Sequence, residues 1–232
     1  MRVMKKAFII FAALSAVNII LVLTGLAGLD TNTGGIVYRL VIIAALLFCS
    51  SCVFTGAAKR GGIPLLSGAL GLGLLAVSEL YTFAYIYLLQ GESIDITVSN
   101  YIRPCAYLFI MLTVLEQLSS KRVNILRKLL SALSIAALLL IFYSVIANNL
   151  VLLSYSALSI AALCILSAVF LLLKSKRLFA LSVIAFCLLD IANRLMVLYP
   201  PGWLWHDMVL VFYPPVYLWL GWALLKGGEE NE

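Results

Sequence analysis

Charged residues are scarce in this sequence. Only 11% of its 232 residues are charged, and 64% are hydrophobic. Soluble domains carry about a quarter charged and about half apolar residues, and the interior of a chain of this length is too small to hide such a surplus. The composition therefore excludes a water-soluble globular domain and predicts an integral membrane protein whose main partner is the lipid bilayer.

Histidine is almost absent as well, since His206 is the only one. The chain therefore offers no zinc set with several histidines, and a Ser-His-Asp triad or Cys-His pair is not recognisable. The Gly-Leu-Gly segment at 71–73 lies in an apolar run without the preceding strand of a phosphate loop; with Ser67 and Gly68 it predicts a close contact between helices. No basic stripe indicates a nucleic-acid partner. We predict no metal and no cofactor, and no catalytic residue is assigned.

All five cysteines lie inside apolar runs, so they do not form the disulfide framework of a small secreted protein. Cys49 and Cys52 are three residues apart and share one helix face. A redox pair needs an exposed, reactive thiol, whereas these two fall deep in an apolar run. We interpret them as packing residues.

Apolar runs long enough to cross a bilayer occur eight times. About 20 residues are needed at 1.5 Å per residue, and no run shows the two-residue alternation of a strand. The sequence therefore predicts an all-α fold, a polytopic integral membrane helix bundle of eight transmembrane helices, at about 7–29, 36–58, 63–90, 97–118, 127–148, 150–173, 178–199 and 204–225. The first run exceeds the roughly 7–15 apolar residues of a signal peptide, so we interpret it as a retained helix.

Basic residues mark alternate loops. Of the 16 lysines and arginines, all except Arg39, Arg103 and Arg194 lie at 2–6, 59–60, 121–128, 174–177 and 226. Loops rich in Lys and Arg stay on the cytoplasmic side of a membrane. We therefore predict a multi-pass protein of the cell membrane with both termini in the cytoplasm.

The fourth and eighth runs align without a gap, residues 101–110 over residues 211–220. The matched pairs are Pro104 with Pro214, Tyr107 with Tyr217, and Leu108 with Leu218. The alignment predicts that the single membrane domain, 1–232, consists of two four-helix halves, 1–120 and 121–232. An even number of spans gives both halves the same orientation, as in transporters whose repeats are related by an axis along the membrane normal. The alternative is chance similarity between apolar segments.

The ionisable residues inside the runs fall in their middle or outer parts, and all eleven tyrosines fall in the outer halves. Intramembrane charges are costly and commonly mark a function, and tyrosine suits the wall of a semi-polar pocket. We therefore predict an outward-facing polar cavity with the ligand-binding residues Glu79, Tyr107, Arg103, Asp190, Asn193, Arg194 and Tyr217. The alternative is self-pairing, Asp190 with Arg194 on one helix and Glu79 with Arg103 as a structural lock. Arg39 is interpreted as an interfacial residue.

These features favour the binding or transport of a small polar or charged solute. The eight-helix plan, with an acid in the third and seventh spans, also resembles the lysoplasmalogenase-like membrane protein family. Phe186-Cys-Leu-Leu-Asp190 is similar to that family's Phe-x-x-Ser-Asp segment but lacks its serine, so no catalytic residue is transferred. The resemblance implies an intramembrane lipid-modifying enzyme. A third alternative is a sensor or assembly subunit that acts through a separate partner.

Overall fold

The computed structural model describes residues 6–7, 9–10, 13, 32–89, 98–118, 124–173, 177–198 and 203–229, and all regular structure in these ranges is helical. The helices are α1 (Asn32–Arg60), α2 (Ile63–Phe83), α3 (Ser99–Gln117), α4 (Asn124–Ile146), α5 (Leu150–Leu172), α6 (Arg177–Leu198) and α7 (Trp203–Glu229). A π-helical turn, Ala84–Leu88, extends α2. The prediction of an all-helical fold is confirmed. The first predicted span, 7–29, lies almost wholly outside the described residues.

Six of these seven helices are long and apolar enough to cross a membrane, all except α3. Large apolar side chains cover their outer faces, as the exposed Leu47, Phe54, Leu139 and Leu188 illustrate. The ionisable side chains of Glu79 and Asp190, by contrast, are buried. An apolar exterior around buried charges is the arrangement of a protein that has lipid as its solvent. The protein is therefore a helical membrane protein.

Tight turns join two of the helix pairs. Gly61 and Gly62, both with positive φ, connect α1 to α2. The turn from α4 to α5 uses Asn148 at a φ of 50°, a conformation that asparagine tolerates better than most residues. Asn149 then caps α5, because its side chain accepts a hydrogen bond from the Leu152 N–H at 2.9 Å. Short turns of this kind force successive helices to run antiparallel.

Every described helix packs against the next described one along the chain. Contacts of α3 with α5 and of α7 with α1 close a ring, and α2 also contacts α7. The order around the ring is α1, α2, α3, α5, α6, α7, and α4 lies outside it against α5 and α3. Because the helices alternate in direction, one end of the bundle collects basic residues; this basic end is formed by Lys59, Arg60, Lys128, Arg177 and Lys226.

Small residues let α2 approach its neighbours closely. A Cβ atom added at Gly71 would lie 3.0 Å from the Ile110 side chain and 3.2 Å from the Ala106 carbonyl oxygen, both on α3. At Gly68 it would meet Leu224 of α7 at 2.9 Å. Ser67 of α2 also hydrogen-bonds Thr113 of α3 at 2.9 Å. The helix contact expected from the glycines and serine of this segment is therefore present.

One helix, α7, is distinctive in composition. It holds all four tryptophans of the chain, Trp203, Trp205, Trp219 and Trp222. It also contains Pro214 and Pro215 and continues as an α-helix through both.

Candidate functional site

Five ionisable side chains from four helices form a row of alternating charge inside the ring. In order they are Arg39 of α1, Glu79 of α2, Arg103 of α3, and Asp190 and Arg194 of α6. The closest nitrogen–oxygen distances between successive members are 3.3, 3.3, 3.0 and 4.0 Å. Nη2 of Arg103 serves both carboxylates. This charge row is therefore centred on one guanidinium and joins both halves of the chain.

The fifth helix at the site, α7, contributes Tyr213. Its hydroxyl donates a hydrogen bond to Oδ1 of Asp190 at 3.0 Å. Its ring lies beside Arg103, whose Cζ atom is 5.6 Å from the ring centroid, within the range of a cation–π contact. Tyr213 thus touches the central cation with its ring and the buried anion with its hydroxyl.

The charge row lies far from the basic end. Glu79 is 16 residues after Ile63, where α2 begins, which places it about 24 Å along the helix. Asp190 is 13 residues after Arg177, where α6 begins, or about 20 Å along. Both helices start at the basic end, so the charges lie in the opposite half of the bundle.

Three aromatic side chains lie one helical turn nearer to the basic end and form an aromatic layer: Tyr107, Phe186 and Tyr217. Phe186 contacts both tyrosines, with ring centroids 5.2 Å from Tyr107 and 5.8 Å from Tyr217. All three are fully buried. The aromatic layer therefore lies between the charge row and the basic end on α3, α6 and α7.

The two tyrosines of this layer turn their hydroxyls towards the charge row. Helical side chains tilt towards the N-terminus of their helix, and both α3 and α7 begin on the side of the charges. The hydroxyl of Tyr107 lies beside Asp190, and that of Tyr217 beside Arg103. Among the residues described by the structure, neither buried hydroxyl has a partner in hydrogen-bond geometry, although buried polar atoms are normally paired.

Two thiols bind the backbone of the same tyrosines. Cys49 of α1 donates to the Tyr217 carbonyl oxygen at 3.4 Å, and Cys164 of α5 donates to the Tyr107 carbonyl oxygen at 3.9 Å. All five cysteines are free. Cys49 therefore has a packing position, as expected.

The structure brings four of the predicted site residues, Glu79, Arg103, Asp190 and Arg194, into one row, with Tyr107 and Tyr217 beside it. Asn193 is half-buried on α6 and supplies none of these contacts.

Sequence reasoning assigned neither Arg39 nor Tyr213 to the site. The expectation that Arg39 is merely interfacial is incomplete, because its guanidinium pairs with Glu79. Tyr213 aligns with Arg103 in the 101–110 and 211–220 match, and that correspondence could have identified it.

A metal centre would need a group of ligands. Among the residues that the structure describes, no three His, Cys, Asp or Glu side chains come together in this way. The charge row contains two carboxylates and three guanidinium groups, and guanidinium groups repel cations. The groups present at this site suit ion pairing and hydrogen bonding to a polar molecule.

Comparison with protein-family models, with curated proteins and with solved structures finds no significant match.

Proposed function

We propose that this protein binds a small polar or charged solute at the charge row and carries it across the membrane. The observation on which the proposal rests is the row itself: five ionisable side chains, two buried carboxylates and three half-buried arginines, supplied by four helices of one ring. Taking charges out of water opposes folding unless they are paired. A single ion pair would be enough to hold two helices together, whereas this row of five charges extends from α1 to α6.

The proposal includes two halves related by an axis along the membrane normal. Exchange of α1 with α5, α2 with α6 and α3 with α7 leaves the order of helices around the ring unchanged. The same exchange relates the two thiol contacts, Cys49 to Tyr217 and Cys164 to Tyr107. Both observations support the internal repeat. Rocking of one half against the other would expose a central site to each side in turn.

The basic end is placed in the cytoplasm in this proposal, because clustered Lys and Arg residues stay on that side. The charge row then lies in the outer half of the membrane, and the aromatic layer lies on its cytoplasmic side. In this proposal solute reaches the charge row from outside, and the aromatic layer lies between the row and the cytoplasm.

Labelling of introduced cysteines tests this orientation. Val98, before α3, and Lys59, at the end of α1, are both exposed and lie at opposite ends of the bundle. We expect a membrane-impermeant maleimide, added to intact cells, to label Val98→Cys and to leave Lys59→Cys unlabelled until the cells are opened. The unmodified protein measures the background from its own five cysteines. Labelling of Lys59→Cys in intact cells, with Val98→Cys protected, would reverse the orientation.

Loss of uptake in a charge-balanced variant tests the site. Glu79→Leu/Arg103→Leu removes one negative and one positive group, so the net charge of the row does not change. Proteoliposomes with the unaltered protein should accumulate at least one solute from a labelled panel of amino acids, organic acids, amines and phosphate esters. We expect the double variant to fold and to lose more than about 90% of that uptake, because binding groups contribute most when they act together.

The matched control is Ser67→Ala/Thr113→Val. It removes a buried polar pair between the same two helices, α2 and α3, away from the charge row. We expect it to retain most of the uptake. Equal losses in both double variants would show that helix packing is responsible, and full uptake by Glu79→Leu/Arg103→Leu would refute the proposed site.

A second candidate is the intramembrane lipid-modifying enzyme that the lysoplasmalogenase-like resemblance implies. One observation favours it: Glu79 and Asp190, the acids of the third and seventh predicted spans, meet at Arg103. Release of labelled fragments from membrane lipids by the purified protein, with loss of release in Asp190→Asn samples that are shown to be folded, would favour this enzyme over transport.

A further inference from the structure

The charge row begins and ends with an arginine. Three guanidinium groups face two carboxylates, so the row carries one positive charge in excess when all five groups are ionised. A buried charge without a counter-ion is strongly unfavourable. Among the residues that the structure describes, the row therefore lacks one anion.

In the charge row, the positively charged side chains are more exposed than the negatively charged ones. The side chains of Arg39, Arg103 and Arg194 are 17%, 13% and 12% exposed, whereas those of Glu79 and Asp190 are 9% and 3% exposed. A molecule that approaches the row consequently meets cationic groups before it meets carboxylates. Such an arrangement attracts anions and repels cations.

Donors also outnumber acceptors. Arginine offers five N–H donors and no acceptor. Within the described part of the chain, the buried Nε atoms of Arg103 and Arg194 have no hydrogen-bond partner. The carboxylate of Asp190 is already shared by Arg103, Arg194 and the Tyr213 hydroxyl.

Arg194 is the least engaged of the three arginines. Its Nε atom is 4.0 Å from Asp190, whereas Arg39 and Arg103 approach their carboxylates to 3.3 Å or less. It is also four residues beyond Asp190 on α6, one turn farther from the basic end.

From this imbalance we infer that the solute carries an anionic oxygen group, a carboxylate or a phosphate. This group is bound by Arg194 together with the Nε–H of Arg103. This inference rests on the proposed function, because it specifies the solute of the same site. A guanidinium fork matches both groups well. The anion would neutralise the row and supply the missing acceptor.

The same chemistry has two sources, a free solute or the phosphate of a lipid headgroup. Thermal unfolding of the purified protein in neutral detergent distinguishes them. The probes are inorganic phosphate, acetate, a soluble phosphatidic acid with two six-carbon chains, and tetramethylammonium, each compared with sodium chloride at equal ionic strength. A ligand that binds only the folded state raises the midpoint of unfolding in proportion to its occupancy.

We expect phosphate or acetate to stabilise the protein if the solute is free, and the short-chain phosphatidic acid alone to do so if the source is a lipid. Arg194→Gln should weaken the binding of the stabilising probe by about tenfold or more, because one charge-assisted contact is lost. Arg194→Lys keeps the positive charge but not the forked guanidinium. Its affinity for the probe should therefore lie between those of the unaltered protein and Arg194→Gln. Arg177→Gln, the same change at the exposed start of the same helix, should bind like the unaltered protein.

The inference is overturned if no anionic probe stabilises the protein, or if Arg194→Gln and Arg194→Lys both bind as tightly as the unaltered protein. Stabilisation by tetramethylammonium alone would also overturn it while leaving the proposed transport function in place, with a cationic solute. Absence of stabilisation by every probe, together with absence of uptake in proteoliposomes, would remove the inference and the proposed function together.

Discussion

Asp190→Asn is expected to lower the free energy of unfolding by about 3–5 kcal/mol, because removing one partner of a buried ion pair leaves the other uncompensated. Asp190 is the most deeply buried member of the charge row, and it faces Arg103, Arg194 and Tyr213. Without its charge, the row would keep three arginines but only one carboxylate, that of Glu79. The measurement is the equilibrium unfolding of the purified protein in mixed micelles.

A second substitution should reverse part of this loss. Asp190→Asn/Arg103→Met removes the central cation as well and leaves Arg39 paired with Glu79 at 3.3 Å. We therefore expect the double variant to be more stable than Asp190→Asn, so that the two effects are far from additive. Additive losses would mean that the charges do not interact. Ser182→Ala, which removes a buried hydroxyl that donates to the Phe179 carbonyl oxygen of the same helix, should change stability by no more than about 1 kcal/mol.

Gly71→Val is expected to destabilise the protein by about 3 kcal/mol, the upper part of the usual range for overpacking. The new side chain would press on the backbone of α3, where the Ala106 carbonyl oxygen would be only 3.2 Å from the added Cβ atom. A backbone cannot rotate away as a side chain can, so α2 and α3 must separate. That separation would also lengthen the 3.3 Å contact between Glu79 and Arg103, so solute uptake should fall with stability.

Gly68→Ala is the matched control on the same helix. Its Cβ would meet only side-chain atoms of Leu224, which has other rotamers available. We expect a loss of no more than about 1 kcal/mol and unchanged uptake. If Gly71→Val were as stable as Gly68→Ala, the close contact between α2 and α3 would not determine the geometry of the site.

The helices could be predicted from the sequence because lipid imposes long apolar runs. The runs at 127–148 and 150–173 correspond closely to Asn124–Ile146 and Leu150–Leu172. The π-helical turn after α2 could not be predicted. It depends on a shifted backbone hydrogen bond, from the Leu89 N–H to the Ala84 carbonyl at 3.0 Å, for which no side-chain pattern is diagnostic.

The sequence predicted which residues form the site better than it predicted the contacts between their side chains. Charges inside apolar runs are conspicuous, which is why Glu79 and Asp190 could be singled out. The pair of Arg103 with Asp190 joins α3 to α6, helices distant in sequence, and hydropathy does not reveal which helices are neighbours. Arg39 lies near the start of its apolar run and was interpreted as interfacial, although its partner Glu79 is on the next helix. Tyr213 was one of eleven tyrosines.

The confinement of every tryptophan to α7 has a spectroscopic consequence. Selective excitation of indole would make the intrinsic emission of this protein a property of one helix, the helix that also carries Tyr213 and Tyr217. Trp219 and Trp222 are half-buried, so their emission wavelength should respond to changes in local polarity when α7 moves against its neighbours. The unlabelled protein thus contains its own optical reporter on one wall of the charge row, suited to stopped-flow mixing with solutes.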